Sequence, residues 1–323
     1  MNQFTSSKQA HVAVAIDNQS RVLVAWDSRR QQGGRYGVYG RWADLSGQPI
    51  GDEFAINQHA EGHQMTPCVA ADPTGGFWVA WTSTGQDGHG SGIVARPCTA
   101  DQWQSEIAVN EHRSGHQIQP ALAVNKKGQA LIAWISETPT GQKLALRGID
   151  PDGTPLGDEV HLESPATPAL PRVVALPDDR FVVTWQITSD RPEGLVMQVV
   201  DADGQCEEPL HTLAGPASIE ASVDQLSDGA IVAWLTPNKN HYAIVMQKLD
   251  ARGHLLDTPI EVFGTQDTEA WISGAHVTSH PNDSWTLAWN EDTSGKGKNR
   301  VRIQTFDRHG TCLLYTSDAA DDS

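Results

Sequence analysis

One hydrophobic run, closed by a small residue and then tryptophan, recurs six times in this chain: VLVAW ending at Trp26, FWVAW at Trp81, ALIAW at Trp134, FVVTW at Trp185, AIVAW at Trp234 and WTLAW at Trp289. Six of the 11 tryptophans thus hold one position in a repeat of 49 to 55 residues. The units lack the 3.6-residue apolar period of a helical solenoid. They consist of short β-branched and aromatic runs broken by turn residues, so the repeat is built of strands.

Each unit has four strand-like segments. The first follows a proline in PCVAAD, PALAVN and PRVVAL, from Pro67, Pro120 and Pro171. The second is the run that ends in tryptophan. The third, such as KLALRGID, closes on an Asp-x-x-Gly turn at Asp44–Gly47, Asp150–Gly153, Asp201–Gly204, Asp250–Gly253 and Asp307–Gly310, and the fourth reads like DEFAIN or SEIAVN. Asp caps such a turn with its side chain and Gly supplies positive φ. The second unit has TADQ (Thr99–Gln102) there, which predicts a less regular hairpin. The tryptophan run is apolar on both faces, so both faces must be covered. A β-sandwich does not explain one large aromatic at the same strand end of every unit. The pattern predicts an all-β fold, a β-propeller of about six four-stranded antiparallel blades set around a shared axis, with incomplete terminal blades. Blade repeats are expected near 11–57, 67–110, 120–163, 171–213, 220–263 and 274–311, within a single propeller domain over 1–311. Neighbouring strand residues point to opposite faces. Each tryptophan is therefore expected to pack on one neighbouring blade, while the small residue before it (Ala25, Ala80, Ala133, Thr184, Ala233 or Ala288) receives the tryptophan of the other.

The units resemble the Trp-containing β-propeller repeats common in bacterial secreted and cell-surface proteins, best in Ile56–Trp81 and Val109–Trp134. The resemblance covers nearly all of residues 1–311 and implies a fold and an extracellular setting, not a ligand. Residues 1–17 also align to the repeat, so the chain is expected to begin inside the array. CLLYTSDAADD (Cys312–Asp322) resembles a translated sequencing adapter; residues 312–323 are expected to be disordered and foreign to the fold, and the chain a metagenomic gene fragment.

The formal charge of −17 argues against nucleic-acid binding. No stretch has the apolar length of a membrane span, and the first residues carry no leader signature. Cys68, Cys98, Cys206 and the tail's Cys312 have neither the count nor the spacing of a disulfide framework or a zinc site. No metal and no cofactor is expected.

Chemistry is expected on the face shared by the loops between blades and those joining second to third strands. There His59 and His63 precede Gln64, and His112 and His116 precede Gln117. On a helix that spacing suits zinc; in a loop it reads first as a turn device and second as ligand contact. Arg29, Arg30 and Arg35 share that face with Lys239, Lys296 and Lys298, and a cationic rim on an acidic chain attracts anions. Asp52–Glu53 and Asp158–Glu159 occupy equivalent repeat positions and read as scaffold. A Gly-x-Ser-x-Gly elbow and a sialidase-type Ser-x-Asp-x-Gly-x-Thr-Trp box are absent. The uniformity of the repeats predicts a non-catalytic module that binds a glycan or protein surface. The alternatives are a propeller polysaccharide hydrolase or lyase, for which only His276 and Asp224 offer unique inner-strand groups, and a spacer in a larger adhesin.

Overall fold

A computed structural model describes residues 1–99, 102–238, 241–264, 271–292 and 299–317. The fold is an all-β, six-bladed β-propeller with no helix among the described residues. Blade 1 comprises β1 (Gln9–Ile16), β2 (Val22–Gln32), β3 (Arg35–Ala43) and β4 (Pro49–Ala55). Blade 2 comprises β5 (Gln64–Ala71), β6 (Gly76–Thr84), β7 (Ser91–Thr99) and a split fourth strand, β8 (Gln102–Trp103) and β9 (Ile107–Ala108). Blade 3 comprises β10 (Gln117–Val124), β11 (Ala130–Thr138), β12 (Gly141–Ile149) and β13 (Val160–Leu162). Blade 4 comprises β14 (Thr167–Ala175), β15 (Phe181–Thr188), β16 (Pro192–Val200) and β17 (His211–Ala214). Blade 5 comprises β18 (Ile219–Leu226), β19 (Gly229–Asn238), β20 (His241–Asp250) and β21 (Leu255–Gly264). Blade 6 comprises β22 (Trp271–Ser279), β23 (Trp285–Asp292), β24 (Asn299–Phe306) and β25 (Cys312–Ser317). Strands pair in chain order within every blade. The chain forms two compact units, Met1–Val173 with Val200–Glu207, and Val174–Val199 with Glu208–Ser323.

All six repeat tryptophans are buried. Trp81 shares a core cluster with Ala25 of the preceding blade. Trp134 does so with Ala80, and Trp289 with Ala233. Each of these three indoles thus fills the room left by a small residue one blade earlier, which gives the dense packing an interior requires.

The Asp-x-x-Gly turns are equally regular. The glycine N–H donates to the aspartate C=O in all five, and the glycines have φ between 78 and 89°. Asp44, Asp201, Asp250 and Asp307 each accept the N–H groups two and four residues on. In blade 2, where the motif is missing, the fourth strand breaks into two pieces, both paired with β7.

A second device rests on acids within or just before fourth strands. Glu53 accepts from the N–H groups of Gln3 and Phe4. Glu106 does the same for Gln58 and His59, and Glu159 for Glu111 and His112. Glu106 and Glu159 hold the chain where it passes into the blade that carries them, and Glu53 holds the segment before β1.

The structure departs from the sequence reading at two boundaries. First strands begin three or four residues before the prolines, at Gln64, Gln117 and Thr167, and a register shift marks a β-bulge just before Pro67 and Pro120. Residues 312–317, expected to be disordered, form β25, paired with β24 from Arg302↔Ser317 to Phe306↔Cys312. The open edge of β24 supplies backbone partners that this extended segment satisfies; residues 318–323 lie outside the described residues.

The four cysteines are unpaired. Burial pushes the Cys68 thiol up to about 12 and the Cys98 thiol to about 11, whereas Cys206 and Cys312 are exposed. A thiol reagent at pH 8 should therefore label Cys206 and Cys312 in the native protein. Labelling of Cys68 and Cys98 should wait for denaturant. Mass spectrometry of the labelled peptides checks this, and rapid native labelling of Cys68 contradicts the packing described.

Candidate active site

The first strand of every blade carries a residue in the left-handed region at one repeat position: His11 (φ 48°), Thr66 (52°), Gln119 (57°), Leu170 (50°), Glu220 (57°) and Gly274 (61°). Register shifts mark a bulge there in blades 1, 2, 3, 5 and 6. Five of these residues have a Cβ, so each conformation costs on the order of 1–2 kcal/mol and must be held by its surroundings. In part the holding comes from the blade before. Gln119 Oε1 accepts from Leu170 N at 3.2 Å. Glu220 Oε2 accepts from Gly274 N at 2.6 Å, and Asp27 Oδ2 accepts from Thr66 N at 3.0 Å.

Blade 1 differs from the others in chemistry. His11 Nδ1 lies 2.6 Å from the same Asp27 Oδ2. The residue after the repeat tryptophan reads Asp27, Thr82, Ile135, Gln186, Leu235 and Asn290, and the bulge position reads His, Thr, Gln, Leu, Glu and Gly. An ionisable pair across these two positions exists in blade 1 alone. Asp27 is completely buried, while the His11 side chain is 55% exposed. Asp27 Oδ1 is buried without a hydrogen-bond partner. Burying a carboxylate with one oxygen unsatisfied costs several kcal/mol, a cost that a neutral threonine or asparagine avoids in other blades. With Asp27 accepting, Nδ1 carries the hydrogen and Nε2 is left to exchange a proton. The geometry is that of a general acid–base histidine oriented by a buried carboxylate.

The rim around this pair collects several residues expected from the sequence. Two residues beyond Asp27, Arg29 is paired across the hairpin with Tyr36, and Gln32 with Arg35. Arg29, Arg30 and Arg35 are exposed, and Arg30 holds φ 66°. Tyr36 N–H donates to His63 Nδ1 at 3.3 Å, and the two rings meet edge-on with centroids 5.7 Å apart. Tyr36, which Arg29 faces across the hairpin and Arg35 precedes, thus stands beside His63. Lys239, Lys296 and Lys298 lie outside the described residues.

The other candidates have structural engagements. Gln64 and Gln117 are fully buried and accept the indole N–H of Trp81 (2.9 Å) and Trp134 (3.1 Å). His59 and His112 are held through their backbone by Glu106 and Glu159, and each C=O accepts from Asn57 or Asn110. His116 lies 3.4 Å from Ser91 Oγ, one blade on from the Tyr36–His63 contact. Each His pair therefore serves two different neighbours. Among the described residues no three His, Cys, Asp or Glu side chains gather as a metal-ligand set. Asp224 accepts from Ser279 N at 2.7 Å and so secures the edge of β22; His276 is exposed. The pair His11–Asp27 escaped the sequence reading, although laying the repeats in register at both positions exposes it.

No protein-family model and no curated protein matches the chain. Solved structures do. A protein of unknown function from Dyadobacter fermentans aligns with a TM-score of 0.62 at 12% identity, covering 94% of this chain and 96% of its own. A Penicillium chrysogenum α-L-arabinanase complexed with arabinobiose gives 0.57 at 14%, covering 96% of each chain. A Streptococcus pneumoniae sialidase gives 0.58 at 9%, covering 91% of this chain and 67% of its own. These likenesses establish the fold. They also correct the expectation of a non-catalytic binding module, and with it the expectation that the chain is not an enzyme: among these neighbours the same fold is repeatedly that of a glycoside hydrolase.

Proposed function

We propose that the chain is a β-propeller glycoside hydrolase that cleaves an anionic glycan at the His11–Asp27 pair. The observation that carries this reading is the confinement of an acid–base pair to one blade of an otherwise uniform scaffold. Catalysis needs such a unique group, whereas a repeat-encoded turn does not. In the reaction, protonated His11 gives the proton on Nε2 to the glycosidic oxygen as the bond to the anomeric carbon breaks. Water adds to that carbon and loses a proton to solvent, leaving a hemiacetal and a free alcohol. Asp27 fixes the imidazole orientation and stabilises the imidazolium before transfer. Arg29, Arg30 and Arg35 draw in the acidic substrate, with Tyr36 and His63 as a ring platform for a sugar face. The resemblance to bacterial secreted and cell-surface repeats supports an extracellular polymer as substrate.

Release of reducing ends from acidic and neutral polysaccharides, with an Asp27→Asn control, tests the reading. Equal background from both proteins on every glycan would sink it. Changing the three arginines to alanine should raise KM for the acidic substrate roughly tenfold, with most of the loss at low salt, and leave kcat largely intact. Initial rates across salt concentrations measure this.

A further inference from the structure

We infer a second, non-catalytic ligand site between blades 5 and 6, shaped for a single-ring aromatic carboxylate. In blades 3, 4 and 5 the glycine of the Asp-x-x-Gly turn docks on the preceding blade. A Cβ would come within 3.0 Å of Ile107 at Gly153, within 3.4 Å of Leu146 at Gly204 and within 2.6 Å of Val199 at Gly253. At Gly310 of blade 6 it would meet nothing within 4 Å. A cavity of about 270 Å³ occupies the space, lined by Ile231, Met246, Val262 and Trp285, with Lys248 and Arg308 among its polar residues.

The repeat shows what such a space accommodates. Trp42 is paired across its hairpin with Leu23, three residues before the repeat tryptophan, and Lys248 is paired likewise with Ile231. In blade 1, Trp42 lies against Phe77 of blade 2, ring centroids 5.4 Å apart. Trp285 is the blade 6 counterpart of Phe77, each four residues before the repeat tryptophan. A lysine therefore stands where the first pair of blades has an indole, and the volume of a ring is left open. Lys248 Nζ instead donates to the C=O of Arg308.

The polar groups set the class of ligand. Trp285 is 4% exposed, and its indole N–H is buried without a partner. A buried donor of this kind favours an acceptor. Lys248 and Arg308 add positive charge; Arg308 is 58% exposed and 3.8 Å from Asp283, so one carboxylate offsets only part of it. A flat apolar body with one anionic acceptor meets all three requirements: the ring-sized void, the orphaned N–H and the cations.

The test is titration of the full chain with benzoate, and with benzyl alcohol as its neutral analogue, followed by saturation-transfer NMR. Benzoate should bind at least about tenfold more tightly than benzyl alcohol. Lys248→Trp, which rebuilds the blade 1 arrangement, should abolish binding while circular dichroism stays native. Trp285→Phe keeps a ring in place and removes the N–H, and should weaken benzoate several-fold. Equal affinity for the two probes, unchanged binding in folded Lys248→Trp, or no benzoate binding at 10-millimolar levels (~10 mM, far weaker than a built site gives) overturns the proposal. None of these readouts depends on glycan cleavage.

Discussion

Asp27→Asn should lower kcat by roughly two to four orders of magnitude while leaving the thermal midpoint unchanged or raised. The two effects have opposite signs for one reason. Asp27 is fully buried, one of its oxygens has no partner, and the other serves both His11 and the amide of Thr66. Asparagine removes the buried charge, which favours folding, and its carbonyl can still accept from Thr66. That carbonyl stands where Oδ2 stood, facing both Thr66 and His11, but it is neutral, so the His11 imidazolium loses its counter-charge. His11→Ala should be about as damaging, and the double variant little worse than either single one, because the two residues act as a unit. The pH–rate profile provides a further readout: the limb that reports the imidazole should vanish in His11→Gln. A purely structural Asp27 gives the reverse pattern, with a lowered midpoint and normal turnover in Asp27→Asn.

What was legible in the sequence was local or periodic. The Asp-x-x-Gly turns are fixed by two residues three positions apart, and all five form. That an indole meets the small residue of a neighbouring blade follows from strand alternation, which sets the two on opposite faces; that Trp81, Trp134 and Trp289 meet the blade before is seen only in the structure. The bulge was not legible. It accommodates His, Thr, Gln, Leu, Glu and Gly at one position, so side-chain composition carries no signal, and it is imposed by hydrogen bonds from the neighbouring blade. Without the bulge, His11 and Asp27 are merely two residues in adjacent strands. Gln64 and Gln117 were misleading for a related reason. They follow the histidines in sequence, yet the partner that matters is an indole 17 residues later. The inference from uniformity to binding failed because uniformity belongs to the scaffold. An acid–base pair replaces only two positions, and six copies of a blade conceal it well.

Trp134→Ala should destabilise the unit that contains it by about 3–5 kcal/mol, the largest stability effect expected of any single substitution in the repeat. Trp134 is fully buried among Trp78, Ala80, Ile93 and Ile132, so truncation opens a cavity at the centre of the contact between blades 2 and 3. It also strands Gln117 Oε1, which accepts the indole N–H at 3.1 Å and is itself buried. Phenylalanine separates the two contributions. Trp134→Phe retains much of the apolar volume and loses the hydrogen bond, and should cost about 1–3 kcal/mol. Trp289 is the natural comparison, since it is equally buried but its indole N–H has no partner. Its change to phenylalanine should cost less than the same change at Trp134, while its change to alanine should cost a similar amount. Urea denaturation followed by circular dichroism measures all four variants. A loss below about 1 kcal/mol in Trp134→Ala contradicts interlocking of blades through these rings, because a loss that small is what an exposed or loosely packed tryptophan gives.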